Sequence, residues 1–202
     1  MIVPNMELVK EWVEAWRGKH MVLPLPSTFD HYWANVDKDV RTQCAKARRH
    51  GYTVSKVTEA AQEDIGSIWD SWEEKQDRPL NTEFIHIDPR IPPQDVSGYW
   101  PFNYYEHTRG YLDLFQVADK EGLVVGYLEL ATANGHSIVY STMGHKDYLR
   151  YGIMKLLFVE AIRSLIAQGG HSLYYLKPKY ALEHPEKAVF IHDLRFIPPN
   201  EV

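Results

Sequence analysis

The chain has 202 residues, 45% of them hydrophobic and 24% charged, with 12 Gly and 12 Pro. That length fits one domain with at most a modest extension, and the composition excludes collagen-like, low-complexity and disordered chains. Lys and Arg number 22 against 27 Asp and Glu, a formal charge of -5, so a general electrostatic grip on nucleic acid or anionic lipid is not expected and any anion site must be local.

Cys44 is the sole cysteine, which excludes an internal disulfide or a Cys-based zinc site and fits a reducing compartment. No apolar run reaches ~18 residues, and the first residues carry acids where a signal peptide would be basic and then apolar. The expectation is a soluble, cytoplasmic protein that does not engage a membrane.

In chain order, residues 6–17 read as a short amphipathic helix with Leu8, Val9, Trp12, Val13 and Trp16 on one side and Gly18 as its stop. Pro24 and Pro26 then interrupt the chain. Residues 29–50 read as a single helix, because Phe29, Tyr32, Trp33, Val36, Val40, Cys44 and Ala47 share one face at ~100° per residue. Lys38, Arg41, Lys46, Arg48 and Arg49 lie on the other half. If that apolar stripe is docked, Trp33→Ala should cost about 3 to 5 kcal/mol and Arg48→Ala no more than about 0.5.

Gly51 ends the helix, and residues 52–57 alternate as a strand does. Residues 59–75 read as a helix with Ala61, Ile65, Ile68, Trp69 and Trp72 on one side. Residues 77–110, with five prolines and a cluster of aromatic side chains, read as a long irregular segment of the kind that usually serves function. Residues 111–118, 123–131 and 136–142 then form an antiparallel meander with turns at Lys120 to Gly122 and at Asn134-Gly135. A helix over 149–168, apolar nearly all round, must be buried on several sides. Gly169 and Gly170 stop it, residues 172–176 form a strand, a last helix runs over about 185–194, and 196–198 close the chain.

Three stretches in this order carry a likeness: STMGHKDYLRYGIMKLLFVEAIRSLIAQGG, HSLYYL and AVFIHDLRFIP. Together they resemble the strand, pyrophosphate loop, helix, strand and closing helix of the GNAT superfamily of acyl-CoA-dependent N-acyltransferases. The resemblance covers roughly residues 51–202. It implies an α/β fold with a central mixed, mostly antiparallel sheet flanked by helices, preceded by an N-terminal helical extension over 1–50. It also implies transfer of an acyl group, acetyl being the simplest, from acetyl-CoA or another acyl-CoA to a small-molecule or peptide amine by direct attack.

The resemblance assigns residues as well. Tyr148, Leu149, Arg150, Tyr151, Gly152 and Ile153 correspond to the loop whose backbone N–H groups, at a helix N-terminus, hold the pyrophosphate. Ser141, Thr142 and Met143 correspond to the strand end that meets the pantetheine arm. On the loop reading, Gly152→Val blocks phosphate approach and leaves the fold largely intact. Met154 stands where the family has Gly or Ala, and Leu149 where Arg or Gln is usual, with Arg150 as a replacement charge.

Acyl transfer to an amine needs a base for the ammonium proton and an acid for the leaving thiolate. Glu129, in the middle of a strand, and His136, at the start of the next, are the candidate bases. Ile191 occupies the position of the family's usual Tyr acid, leaving the adjacent His192 as the candidate there. Arg78, Tyr104 and Tyr105 are candidate acceptor-site residues. No His, Asp or Glu spacing suggests a metal.

Two alternatives remain open. The stretch VDKDVRTQCAKARRHGYTV resembles the helix-to-strand entry of Fem-type relatives, which take aminoacyl groups from tRNA, so tRNA is the alternative donor and partner. The departures at Met154 and Ile191, with little sequence left for the family's last strand, also fit a binding protein that keeps the fold without catalysis. That last strand would have to come from N-terminal residues or from a partner chain in a homodimer.

Overall fold

The computed structural model describes residues 19–58, 61–73, 112–176 and 178–201. The expected helix over 6–17, the segment 77–110 and the candidates Arg78, Tyr104 and Tyr105 lie outside the described residues.

The frame is a six-stranded sheet in the order β1-β6-β5-β4-β3-β2, with β1 Met21–Pro24, β2 Thr53–Val57, β3 Leu112–Ala118, β4 Val124–Ala133, β5 His136–Gly144 and β6 Ser172–Tyr175. The meander β3-β4-β5 is antiparallel as its alternation and its Asn134-Gly135 turn require; both turn residues have positive φ (51° and 77°), the twist that closes a two-residue hairpin. The pair β5–β6 is parallel and every other pair is antiparallel. This is the mixed, mostly antiparallel sheet flanked by helices that the sequence implied.

The single helix expected over 29–50 is two helices, α1 Phe29–Asn35 and α2 Lys38–Arg49. Val36 adopts extended backbone, and Asp37 caps α2 by accepting the Asp39 N–H at 2.7 Å. The apolar stripe continues across the break because Tyr32, Val36, Val40, Cys44 and Ala47 are all buried in one core. Trp33 is only half-buried and stacks on Phe29 at 5.9 Å between centroids, so its truncation costs less than a full core deletion.

Three of the five basic side chains on these helices, Arg41, Lys46 and Arg48, are tied down rather than simply solvated. One guanidinium nitrogen of Arg41 donates to the carbonyls of Trp33 (3.1 Å), Ala34 (3.3 Å) and Val36 (2.7 Å), closing the C-terminus of α1. Arg48 pairs with Glu160, and Lys46 donates to the Arg150 carbonyl at 2.7 Å.

The helices α3 Gln62–Glu73, α4 Ile153–Ala167, α5 Pro178–Glu183 and α6 Pro185–Asp193 complete the chain. Helix α4 begins later than its periodicity suggests, because Leu149–Tyr151 form a 3-10 turn and Gly152 has φ 80°. Its apolar surface is buried against both the sheet and α2, with Ile153, Leu157, Phe158, Val159, Ala161 and Ile162 fully buried. Helix α3 covers the opposite face, where Ile65, Ile68 and Trp69 pack on Val124 and Tyr127. Lys155 locks the start of α4 in place by binding Asp39 of α2 and, at 2.7 Å, Asp193 at the end of α6. Helix α5 was not foreseen.

Strand β1 was not foreseen either. It pairs antiparallel with β6, and Val22 forms a further bridge to Ile197. The sheet edge for which N-terminal residues or a partner chain were expected is therefore covered by the chain's own residues 21–24.

Candidate functional site

The one parallel pair in the sheet is short. Strands β5 and β6 are in register at His136–Ser172, Ser137–Leu173 and Ile138–Tyr174 and then separate, while β5 continues to Gly144. Over residues 139–144, β5 keeps its pairing to β4 and leaves its other edge without a strand among the described residues. The register between β4 and β5 shifts at the same level, with Glu129 opposite Ser141 and Leu130 opposite Val139, so Tyr140 is an extra residue. A bulge of this kind bends its strand and leaves one residue outside the ladder. The cleft opened by this divergence runs toward the start of α4.

At the mouth of the cleft, Gly144 and the residues after it are fixed from α3. The Trp72 indole N–H donates to the Gly144 carbonyl at 2.9 Å, and the Lys146 N–H donates to Ser71 Oγ at 3.2 Å. Two flexible side chains close over Gly144, since a β-carbon there would lie 2.6 Å from Met154 Sδ and 2.8 Å from Leu149 Cδ2 and would require both to shift. Met154, which replaces the family's second small residue, is thus folded down over the strand end.

Gly152 carries a packing constraint that the motif did not predict. Its missing β-carbon faces α2, where it would meet the Gln43 carbonyl oxygen at 2.7 Å. The expectation that Gly152→Val leaves the fold intact is therefore corrected: the glycine permits close helix packing and a left-handed backbone. Ile153 is fully buried, so only its backbone is available. Tyr148, Leu149 and Tyr151 are partly buried and pack against the core, and Arg150 is exposed. The first turn of α4 is capped by a glycine without a side-chain hydrogen bond, which leaves its first N–H groups directed out of the helix end.

On the α3 face of the sheet, alternation places Tyr127 and Glu129 together. Ser141, cross-strand from Glu129, donates its hydroxyl to Tyr127 Oη at 3.2 Å, and Tyr127 is only 4% exposed. Thr142 turns the other way and donates to the Tyr127 carbonyl at 3.0 Å. Met143 packs with Tyr127 and the α3 side chains. Glu129 has no hydrogen-bond partner among the described residues, and burial pushes its carboxyl up to about 7. A carboxyl at that value is poised to accept a proton near neutral pH.

The other two candidate acid–base residues are elsewhere. His136 lies opposite Ala133, four residues along β4 from Glu129 and hence about 13 Å away at ~3.3 Å per residue. Its Nδ1 is 2.6 Å from Ser172 Oγ, and its ring contacts those of His171 and Tyr174. His192 ends α6 with its side chain 77% exposed, while the adjacent Ile191 is buried in the core. Tyr127 is a candidate site residue that sequence reasoning missed. Its signal was available, since it lies two residues before Glu129 on the same strand face.

Among the described residues no group of three or more His, Cys, Asp or Glu could hold a metal, and no helix is long and apolar enough to cross a membrane. A separate groove of about 310 Å³ between α4 and strands β2 and β3 lies on the opposite face of the sheet, lined by Phe115, Val54 and paired charges of Lys56, Glu160 and Arg163.

The sequence matches the acetyltransferase (GNAT) domain family over residues 34–182. No curated protein matches it. Among solved structures, the chain is similar to FemX (11% identity, TM-score 0.51, covering 77% of this chain and 52% of that one). It is also similar to L-PGS from Bacillus licheniformis (14% identity, TM-score 0.49, covering 78% and 44%). A third is the ribosomal-protein-S18-alanine N-acetyltransferase from Escherichia coli (15% identity, TM-score 0.40, covering 61% and 65%). The chain spans about half the length of the first two. With the family match spanning most of the sequence and a mixed sheet whose parallel pair opens beside a helix start, the chain belongs to the GNAT acetyltransferase-domain family.

Proposed function

We propose that this chain is a cytoplasmic N-acyltransferase that moves an acyl group from acyl-CoA, acetyl-CoA being the simplest donor, to the amine of a small molecule or peptide. The observation that carries this reading is Glu129: a carboxyl without a hydrogen-bond partner among the described residues, raised to about 7 by burial, cross-strand from Ser141 at the level where β5 leaves β6.

The residues present fit such a donor. The edge of β5 over 139–144, which has no neighbouring strand among the described residues, offers its backbone to a pantetheine arm as to an added strand. The first turn of α4 offers N–H groups, with Lys46 and Arg150 beside it for a diphosphate. When bound, the thioester supplies an acyl carbon open to attack. Glu129, as carboxylate, takes the proton that the amine must lose as its nitrogen forms the new bond to that carbon. Ser141 and Tyr127 fix the polar wall beside it. The thiolate leaves as the C–S bond breaks and, with a free-thiol pKa near ~8.5, takes its proton from solvent, which serves as the acid. His136 and His192 have no part in this reading.

A second reading, aminoacyl transfer from tRNA, is favoured by Met154, whose side chain over Gly144 narrows the place where a diphosphate would approach the helix start. Thermal unfolding with acetyl-CoA, CoA and aminoacyl-tRNA side by side, followed by acetyl transfer to a panel of primary amines, tests both. Acetyl-CoA at 100 times its Kd should stabilise the protein by about 2.7 kcal/mol. No shift with acetyl-CoA alongside a shift with aminoacyl-tRNA overturns the first reading in favour of the second.

A further inference from the structure

Under α3 lie two polar groups that the transfer chemistry leaves unused. Gln116 of β3 alternates with Leu114 and Ala118, which pack with Trp69 and Tyr127, so its side chain shares the α3 face of the sheet. Gln116 stands directly across from Tyr127, and Leu114 stands across from Glu129. Both Gln116 and Trp69 are buried, at 5% and 4% exposure. Neither Gln116 Nε2 nor Trp69 Nε1 has a hydrogen-bond partner among the described residues.

Buried donors without acceptors are uncommon in native proteins, because each gives up its hydration and receives no bond in exchange. Three buried side-chain atoms among the described residues are in this position. Tyr32 Oη lies in the core on the far face of the sheet, but the other two lie beneath α3 on the same face as the Glu129 carboxyl, which also lacks a partner there. Packing alone does not call for them, since an apolar side chain at 116 and a phenylalanine at 69 would fill similar space without that cost. Gln116 lies on the diagonal from Glu129, at ~7–8 Å between backbones, a separation that two long side chains nearly span. They do not bond to each other, so the space between an amide donor and a carboxyl is left for a third group.

A group that completes this set offers an oxygen to the two donors and an amine to Glu129, the two a single carbon apart. We propose that the acceptor is an α-amine beside an amide carbonyl, the chemistry of a peptide N-terminus, with that carbonyl oxygen held by Gln116 and Trp69. Both donors are neutral, which suits an amide oxygen. The proposal rests on the acyl-transfer reading for the role of Glu129 and is the same for either donor of the acyl group. Basicity agrees with it. The α-amino group has a pKa of about 7.7 to 8.0 against about 10.4 for an alkyl amine such as that of lysine, so a carboxyl raised by burial to about 7 is matched to the first and poorly matched to the second.

The test compares alaninamide with isopropylamine, which keeps the amine and the branch but lacks the carbonyl, as acceptors from acetyl-CoA and from aminoacyl-tRNA. Values of kcat/KM are expressed per unprotonated amine, and calorimetry measures the binding of each amine without a donor. The parent should favour alaninamide by about tenfold or more; Gln116→Met should lose about tenfold on alaninamide with isopropylamine unchanged, and Trp69→Phe should shift the ratio in the same direction. Because Gln116→Met removes a donor that the fold leaves unbonded, its thermal midpoint should equal or exceed that of the parent. A parent that uses and binds both amines equally well overturns the proposal and needs no variant to do so, and it leaves the acyl-transfer reading standing if either amine is acylated. A folded Gln116→Met or Trp69→Phe that keeps the full preference for alaninamide also overturns the proposal. A parent that binds alaninamide through Gln116 yet acylates it from neither donor retains this site and overturns only the acyl-transfer reading.

Discussion

Gly152 and Gln43 meet without room for a methyl group between them: a β-carbon at Gly152 would lie 2.7 Å from the Gln43 carbonyl oxygen and 2.9 Å from its Cβ. The start of α4 is therefore held by backbone-to-backbone approach to α2, and Lys155 reinforces the same contact by binding Asp39.

Gly152→Ala should destabilise the protein by about 2 kcal/mol or more, through a left-handed φ of 80° and overlap with Gln43. Urea unfolding of the two proteins measures the difference. A change below about 0.5 kcal/mol would mean that α2 moves freely away from α4.

Glu129→Gln should lower kcat/KM by about 10²- to 10⁴-fold, the usual contribution of a general base. In the parent, kcat/KM should rise with pH through about 7, where Glu129 loses its proton, and that limb should vanish in the variant. The stability sign is opposite. The folded state holds this proton more tightly than the unfolded chain, so the stabilisation is complete below about pH 4.5 and is lost as pH rises through about 7. Its size is about 3 kcal/mol at most, at 1.36 kcal/mol per pH unit. Unfolding at pH 5 and pH 8 should show a smaller pH dependence in Glu129→Gln than in the parent.

Arg41→Ala should cost about 1 to 3 kcal/mol, because it uncovers the carbonyls at the C-terminus of α1. Arg49→Ala should fall within about 0.5 kcal/mol. The same denaturation series compares them; equal small effects would show that the Arg41 contacts do not hold α1.

How these residues would behave was only partly legible in the sequence. The meander was readable because alternation and the Asn134-Gly135 turn are local signals, and α3 and α4 because their apolar periodicity is strong. The break between α1 and α2 was hidden because Val36 and Val40 stay in phase across it, although Asp37 ahead of Lys38 was a usable cap signal. Strand β1 could not be read: four residues ending in Pro24 look like an interruption, and their partner Tyr175 is far along the chain. Glu129 was visible as an acid between Leu128 and Leu130, but its burial without a hydrogen-bond partner among the described residues and the Tyr127–Ser141 contact depend on tertiary placement. The direction in which Gly152 presents its missing side chain carries no sequence signal at all.

Lys155→Met should destabilise by about 3 kcal/mol at pH 7, since it leaves the Asp193 carboxylate partly buried without its cation. The hydrogen bond from Lys155 holds Asp39 below the usual carboxylate range. The stability this provides is present above the unfolded pKa and lost as pH falls through the folded one. The deficit of Lys155→Met should therefore narrow between pH 6 and pH 3, and urea midpoints across that range read it directly. A constant deficit would assign the effect to packing alone.

The pairing of β1 with β6 also constrains how the chain reaches its folded form. Pro24 must meet Ser172, 148 positions later, and β6 must enter parallel to β5 before that edge exists. Contacts of such long sequence separation close large loops before any stabilisation is gained, which slows folding. During synthesis, β1 leaves the ribosome long before its partner strand is made, so Val22 and Leu23, buried in the finished fold, are apolar surface waiting for a strand. Efficient production should depend on shielding that segment until residue 175 has emerged.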